Sequence, residues 1–598
     1  MASFRTLGID ETENWRWRNQ INFYTYLLLP ADRSPGLLEQ KIDEIYEVNT
    51  GDVLERSGWK IRTVLQPLAS IHLHSNFERE IEPNGNATTV YILSTIAFFI
   101  LLLACINFIN LATARSFERF KEVGMRKVLG ARRGNLIRQF LAESILIAFS
   151  GLLIALVLVD LLMPAFNRIT GLRLTIDYTN DWGLLIGSVT LVLVVGLVGG
   201  LYPAFFLSRF EPIKAFKSPH KIGVLKLTQR SGLLVFQFVI AIVLIVGTGV
   251  LHQQLQFVKT KRLGFNKEQV VVLPLQGAEL TQNYETFKDE LRKHPHILSV
   301  SAGYAVPGAG AGQNTFRVEG VPKEARPSMK TLYVDHDYIK TLGIEIKAGR
   351  DFSRDFVTDA TEGFILNEAA VNVLGWDDPI GKEFGWWNRD GRVVGVVENF
   401  HFASLYREIE PLVMLIFPDM FRQLAVRIQS QDVSATLAFL ENIWQAYVPK
   451  RPFQYSFLEE RFDRLYKAEQ RFGQVWNLFT ALAIFIACLG LLGLTALSTK
   501  QRTKEIAIRK VLGASAVGVV RLISKDFVRL VLVSIIVACP IAWYAMQRWL
   551  ENFAYRVDIS WWVFALAGGL SLVIAILTVS TQAIRAALAN PVDSLRYE

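Results

Sequence analysis

The hydrophobic positions of this chain arrive in blocks. Seven apolar blocks, Val90–Ala114, Phe140–Phe166, Trp182–Leu207, Leu233–Leu255, Phe472–Leu497, Phe527–Met546 and Trp561–Ala583, each run for 20 residues or more. A helix rises about 1.5 Å per residue, so about 20 apolar residues cross the roughly 30 Å hydrocarbon core of a bilayer. A helix on the surface of a soluble protein carries an apolar stripe rather than an apolar circumference. The pattern predicts a polytopic α-helical membrane protein of seven spans.

Between the fourth and fifth blocks the pattern changes. Over Lys261–Arg471 short β-branched runs, Gln269–Leu275, Phe364–Leu366, Arg392–Val397 and Leu424–Ile428, predict strands. Asn283–Lys293 and Val433–Tyr447 carry helical spacing. Glycine and proline clusters such as PGAGAG, Pro307–Gly312, read as loops. This is the signature of an α+β domain. The stretch Met1–Gly85 reads like the end of a domain with no recognisable beginning, which predicts a partial chain.

One short segment occurs twice. KEVGMRKVLGA, Lys121–Ala131, returns as KEIAIRKVLGA, Lys504–Ala514, with eight of eleven positions identical and a separation of 383 residues (Lys121 against Lys504). Each copy follows one span and precedes two more, and each block closes on a related tail, EPIKAFK (Glu211–Lys217) or NPVDSLR (Asn590–Arg596). The chain therefore reads as two parallel-repeat three-span bundles, 90–217 and 472–598. A linking span over 231–258 and the domain over 261–471 separate them, and 1–89 stands ahead of the first bundle.

In both copies an acid stands four residues before a base, Glu122 and Arg126, Glu505 and Arg509, the order that suits a helix-surface ion pair. Met125, Val128 and Leu129, matched by Ile508, Val511 and Leu512, form an apolar face. Gly130 and Gly513 are expected as C-caps, since glycine enters the left-handed region cheaply. An amphipathic basic helix can rest on anionic headgroups. Membrane contact alone does not require identity at Arg126/Arg509 and Lys127/Lys510, and two equal helices under two half-bundles suit a twofold cytoplasmic partner.

Composition and charge narrow the picture. The net charge of +9 is concentrated in short loops: Arg115–Arg138 holds eight Lys/Arg against two Glu, and Arg209–Arg230 and Lys500–Lys525 are similarly basic. Basic short loops mark the cytoplasmic side, which assigns Lys261–Arg471 to the outer side and Tyr597 to the cytoplasm. The charge is a topology signal and not a nucleic-acid footprint. Cys105, Cys488 and Cys539 all fall inside apolar blocks and predict buried small hydrophobes without disulfide or metal chemistry.

Other motifs are weaker. GWDDPIGK, Gly375–Lys382, fails as a phosphate loop because its glycine spacing is one residue too long and Glu383 stands where Ser or Thr is required. His72 and His74 alternate as on a strand, with Glu78, Glu80 and Glu82 nearby, a metal pattern weaker than its reading as surface polarity. Asn107, Asn110 and Gln237 read as interhelical glue, and Gly196 with Gly200 as a close-packing pair. Asp160, near a span end, is the one acid an ion-coupled transporter could use. No nucleophile–base constellation stands out.

The duplicated span followed by K-E-[VI]-x-x-R-K-V-L-G-A, with the closing NPVDSLRYE, resembles the MacB/FtsX-type permease subunits of ABC transporters. DHDYIKTLGIEIKAGRDF (Asp335–Phe352), LNEAAV (Leu366–Val371), DPIGK (Asp378–Lys382) and VVGVVENFHF (Val393–Phe402) resemble that family's periplasmic core domain. The form is similar to the long, duplicated Bacteroidetes-type permease, LQPLASIHLHS (Leu65–Ser75) included, without its N-terminal span; 1–89 would be the remnant of a first periplasmic domain. The resemblance implies a multi-pass inner-membrane subunit, not itself an enzyme and without its own cofactor. ATP would be bound by a dimeric cytoplasmic ATPase that docks on Glu122, Arg126, Lys127, Gly130 and Ala131 and on Glu505, Arg509, Lys510, Gly513 and Ala514. Lipid and a periplasmic or outer-membrane protein complete the expected partners. Two functions stay open: export or extraction by mechanotransmission, and activation of a periplasmic cell-wall hydrolase without transport.

Overall fold

The computed structural model describes residues 24–588 apart from 31, 58–61, 76, 78–80, 82–84, 119, 179, 209–220, 276–279, 281–282 and 323–324. The two closing tails of the repeat, 211–217 and 590–596, lie outside the described residues, as do Glu78, Glu80 and Glu82. In chain order the principal helices are α1 (Pro35–Ser57), α2 (Ala87–Glu118), α3 (Phe120–Val128), α4 (Arg133–Thr170), α5 (Trp182–Ser208) and α6 (Lys221–Thr260). They continue as α7 (Tyr284–Arg292), α8 (Val433–Tyr447), α9 (Lys467–Gln501), α10 (Thr503–Val511), α11 (Ala516–Leu550) and α12 (Trp561–Leu588). Seven of the described helices, α2, α4, α5, α6, α9, α11 and α12, are long and apolar enough to cross a membrane. Two compact units result, one from the residues up to 86 with 261–466, the other from 87–260 with 467 onward.

The first unit holds an α+β domain. Strands β1 (Val270–Pro274), β2 (Ile297–Gly303), β11 (Gln423–Ile428) and β12 (Ser456–Phe457) form an antiparallel sheet in the order β12-β1-β11-β2. Side chains alternate across a strand, and here both faces are covered. Val271, Leu273, Val300, Leu424 and Val426 share a core with Phe287 and Leu291 of α7 and Leu440 and Trp444 of α8. Val270, Val272 and Ala425 point into a second core with Leu332, Leu412 and Met414. That is why β1 reads as an unbroken VVVL run rather than an alternating one.

The second sheet is mixed, with β5 (Ser328–Tyr333) parallel to β10 (Leu412–Leu415), and β7 (Gly363–Asn367) parallel to β9 (Arg389–Val397). β3 (Gly312–Thr315), β4 (Arg317–Val318), β6 (Ile346–Gly349) and β8 (Glu383–Trp386) complete it. All four expected strands and both expected helices are present. The other eight described strands went unpredicted, among them β3 and β6, whose sequences GQNT and IKAG carry no apolar period.

One local expectation is wrong. His72 and His74 do not alternate on a strand; Ile71–His74 is a turn of helix following a 3-10 turn at Leu68–Ser70. Residues two apart on a helix point about 200° apart, so the two imidazoles do not converge. No group of three or more His, Cys, Asp or Glu that could hold a metal occurs among the described residues.

In the second unit the same pairings recur in both bundles. The third span packs on the first and on the second: α5 on α2 and α4, α12 on α9 and α11. The Gly196/Gly200 pair makes the α4–α5 approach close, since a Cβ on Gly196 would lie 3.0 Å from the Ile145 Cα and one on Gly200 2.9 Å from the Ser144 Cβ. The linking helix α6 is more than a connector. It packs against α9, α11 and α12 and fills the core of the second bundle with Leu234, Ile242, Val246 and Val250, all fully buried. Polar groups tie it in place: Trp476 Nε1 donates to the Leu244 carbonyl at 3.0 Å, the Ser534 hydroxyl to that of Val235 at 3.2 Å, and Gln254 Nε2 to that of Tyr555 at 2.9 Å. The three cysteines are free thiols, half-buried within helices.

Candidate docking helices

The duplicated segment forms two helices of nine residues, α3 and α10, and their first and last residues coincide at the 383-residue separation. α4 and α11 begin at equivalent positions too, Arg133 and Ala516. α12 starts only 379 residues after α5 (Trp182 against Trp561), so the four residues lost between the repeats fall between the start of the second span and the start of the third.

Each short helix is anchored by one apolar residue. Val123 packs on Leu136 and Phe140 of α4; its equivalent Ile506 sits in the main core with Val519 and Ile523 of α11, the equivalents of Leu136 and Phe140. The remaining apolar residues face outward. Met125, Val128 and Leu129 are 55, 64 and 79% exposed, and Ile508, Val511 and Leu512 are 52, 67 and 80% exposed. Six large apolar side chains are thus held out of the core in two matching triads.

The charged residues flank these triads. Arg126 pairs with Glu122 at 2.7 Å and Arg509 with Glu505 at 2.8 Å, both one helical turn apart and both half-exposed. Such pairs contribute about 0.3–0.5 kcal/mol each, so their duplication is not explained by stability. The two copies differ around the arginine. Arg126 also donates to Gln139 Oε1 at 2.9 Å, and Gln139 Nε2 donates to Glu143 at 3.0 Å. In the second copy Leu522 replaces Gln139, and Asp526, the equivalent of Glu143, pairs with Arg502 at 3.0 Å. Burial, then the nearby Arg133 charge, lowers the Lys127 ammonium below its ordinary range.

Gly130 and Ala131, like Gly513 and Ala514, have a structural task. The Gly130 N–H donates to the Lys127 carbonyl at 3.1 Å and the Ala131 N–H to that of Arg126 at 2.9 Å. Gly513 to Lys510 at 3.0 Å and Ala514 to Arg509 at 2.9 Å repeat the pattern. This is a Schellman cap, and it needs the left-handed conformation that Gly130 and Gly513 adopt at φ 93° and 91°. Identity at these positions preserves a helix end; identity at the arginine and lysine positions preserves an outward face. Val123 and Ile506, Gln139, and the Arg502–Asp526 pair escaped sequence reading. The constant repeat offset, extended into the following span, is the signal that finds them.

A second cluster of charges lies in the α+β domain. Lys288 of α7 is fully buried and pairs with Asp335, also fully buried, and with Asp337 at 2.9 Å. Arg292 at 2.6 Å and Arg354 at 3.1 Å also reach Asp337. Burial raises Asp335 to about 6 against the opposing pull of Lys288. Burial also works against Asp337, but hydrogen bonds from Arg354 and Lys288 prevail and hold its carboxyl well below the usual range. Asp335 further accepts from the Ala302 N–H at 2.8 Å, so the cluster pins α7 and the Asp335–Asp337 loop to β2. Asp160 of α4 accepts from the Tyr178 hydroxyl at 2.9 Å, on the exposed side of its helix.

The chain is thus a polytopic helical protein with a duplicated three-span bundle and an α+β domain. The model of the FtsX-like permease C-terminal domain matches it twice, at residues 94–212 and 477–591. The two matched stretches fall one in each bundle, so each bundle is similar to that domain. Among curated relatives, the macrolide export ATP-binding/permease protein MacB of Bdellovibrio bacteriovorus is 32% identical over 136 residues, 22% of this chain and 19% of that protein. The MacB of Neisseria meningitidis serogroup A is 32% identical over 144 residues, 24% of this chain and 22% of that protein. The matched part spans about a fifth of the length of these relatives. Among solved structures, the periplasmic region of MacB from Actinobacillus actinomycetemcomitans aligns with a TM-score of 0.26 at 15% identity, over 34% of this chain and 94% of that one. The extracellular domain of the noncanonic ABC-type transporter YknZ from Gram-positive bacteria aligns with a TM-score of 0.23 at 16% identity, over 31% and 98%.

Proposed function

We propose that this chain is the membrane subunit of an ABC-type transporter of the bacterial inner membrane. A separate cytoplasmic ATPase dimer docks on α3 and α10, and its ATP-driven motion performs conformational work on a substrate at the other face. The observation that carries this reading is the pair of matching outward surfaces: two apolar triads of equal exposure, each beside an arginine and a lysine at repeat-equivalent positions. A partner with two equal sockets is the economical complement of two equal plugs. The basic loops around α3 and α10 support a cytoplasmic position for these helices and a periplasmic one for the α+β domain.

The chain path supports transmission of force. In sequence α9 (Lys467–Gln501) directly follows the last residue of the α+β domain, Tyr466, and α6 ends at Thr260, directly before its Lys261. α6 and α9 pack on each other along their length, with the Thr248 and Thr480 hydroxyls 3.1 Å apart. In this reading a displacement of α10 travels along α9, a continuous helix of 35 residues. Substrate need not pass between the helices.

The test is affinity purification of the tagged chain from its native membrane, with mass spectrometry of what accompanies it. A nucleotide-hydrolysing subunit recovered with the parent and lost, by tenfold or more, from the Arg126→Glu/Arg509→Glu chain would establish the docking surfaces. Equal recovery from the doubly reversed chain, inserted at parental levels, would sink the assignment.

A further inference from the structure

The first spans of the two bundles, α2 and α9, pack against each other. Their contact segments align at the same 383-residue separation as the docking helices: ACINFINL, Ala104–Leu111, against ACLGLLGL, Ala487–Leu494. Alanine, cysteine and leucine recur, and three further positions exchange one hydrophobic residue for another. Two positions break the likeness. Asn107 and Asn110 stand in α2 where α9 has Gly490 and Gly493.

The structure shows what the exchange does. Asn107, Asn110 and Gln237 of α6 are 8, 4 and 0% exposed. A Cβ on Gly490 would lie 2.8 Å from Gln237 Oε1 and 3.4 Å from Asn107 Oδ1. A Cβ on Gly493 would lie 2.5 Å from the Leu111 side chain. The amide heads of Asn107 and Gln237 thus fill the notch at Gly490, and the Leu111 side chain fills the one at Gly493. Gln237 Nε2 donates to the Leu103 carbonyl at 3.4 Å, while Asn107 Oδ1, Asn110 Nδ2 and Gln237 Oε1 have no protein partner. In a hydrocarbon layer such atoms are satisfied inside the protein, by one another or by bound water.

We propose that this amide–glycine seam is a heterotypic lock that pairs the first half of the chain with its own second half in one register. One chain by itself is then the complete two-bundle core. Pairing α2 with a second α2 would bring four asparagines together with no notch to receive them. Pairing α9 with a second α9 would face two notches with no amides to fill them. A buried amide that specifies one partner and register is an established use of polarity in helix seams. Asn110 and Gly493 each lie twelve residues ahead of the docking-helix acids, Glu122 and Glu505, so the register set here is also that of α3 against α10.

The experiment uses the full chain carrying two different tags, co-expressed and extracted into lipid nanodiscs. Capture through one tag should bring down none of the other, with a single bleaching step per particle. Recovery of both tags together in the parent would overturn the proposal. Gly490→Ala should lower the thermal midpoint and bring the second tag down at several times the untagged-control background. Gly569→Ala in α12, whose Cβ would meet nothing within 4 Å, should do neither. A parental midpoint and copy number for Gly490→Ala would refute the lock. So would a lowered midpoint without copy exchange, which would reduce the seam to ordinary packing.

Discussion

The two bundles share a plan and differ in what covers them. In the second bundle, Val531, Ser534, Ala538 and Ala542 of α11 are fully buried, and α6 lies against α9, α11 and α12. The equivalents in α4 are Ala148, half-buried, and Gly151, Ala155 and Val159, all exposed. Thr480 and Trp476, which bond to α6, correspond to Ala97 and Leu93. An indole N–H facing hydrocarbon has no partner and a hydroxyl there has only its own helix's carbonyl, as Ser150 has that of Leu146, whereas one facing a helix has further carbonyls within reach. At these compared positions polarity is kept where α6 covers the residue and is absent from the equivalents in the first bundle. The short helices α3 and α10, by contrast, have nearly the same residues and the same exposure in both bundles. Unlike neighbours let the membrane faces diverge, while the outward triads stayed alike.

The comparison can be broken most sharply with glycines. A Cβ on Gly247 of α6 would lie 2.3 Å from the Trp476 ring, whereas Gly151 of α4 has nothing within 4 Å. Gly247→Ala is expected to destabilise the membrane unit by about 1–3 kcal/mol, the usual cost of overpacking. Gly151→Ala is expected to stabilise it by about 0.5–1 kcal/mol, since alanine is the better helix residue. Thermal unfolding in nanodiscs reads both; equal effects would mean that α6 does not seat as described.

Next in size are the caps. Gly130→Ala and Gly513→Ala each force an L side chain into the left-handed region and should cost about 1 kcal/mol. The equality is the prediction: amide exchange of Leu129–Ala131 and Leu512–Ala514 should rise by the same factor in the two variants.

Smaller still are the arginines. Arg509→Ala should cost a few tenths of a kcal/mol and Arg126→Ala slightly more, because Arg126 also bonds to Gln139. Gln139→Leu should erase that difference.

At neutral pH the least effect is expected from His401 in the α+β domain. Burial, with Lys261 nearby, lowers His401 to about 4. The folded domain therefore holds it neutral, and its contribution is complete above the ordinary histidine value of about 6.5 and is lost as pH falls toward 4. The stability difference between parent and His401→Gln should be flat above pH 7 and shrink between pH 6.5 and 4. A difference independent of pH would mean His401 stays neutral or exposed throughout.

Much of this was legible in the sequence because it is local. Seven spans follow from seven runs of about 20 apolar residues, since a bilayer demands that every residue of the crossing segment be compatible with hydrocarbon. The ion pairs and caps of α3 and α10 follow from spacings of four residues and a terminal glycine. Strands β1, β7, β9 and β11 announced themselves by β-branched runs; β3, β4, β6 and β8 did not, because neighbours and not intrinsic preference recruit them into the sheet. The paired histidines misled for a similar reason: a two-residue spacing suits a strand only if partner strands exist to make one.

The sequence by itself therefore determined the membrane class, the duplication, and the helical form of the duplicated segments, all of which rest on interactions within a few residues. Only the tertiary structure decided which face of each docking helix turns outward, that α6 belongs to the second bundle, and that Asn107 meets a glycine notch formed 383 residues away. Burial depends on the neighbours a residue acquires when distant segments meet, and no local pattern carries that information.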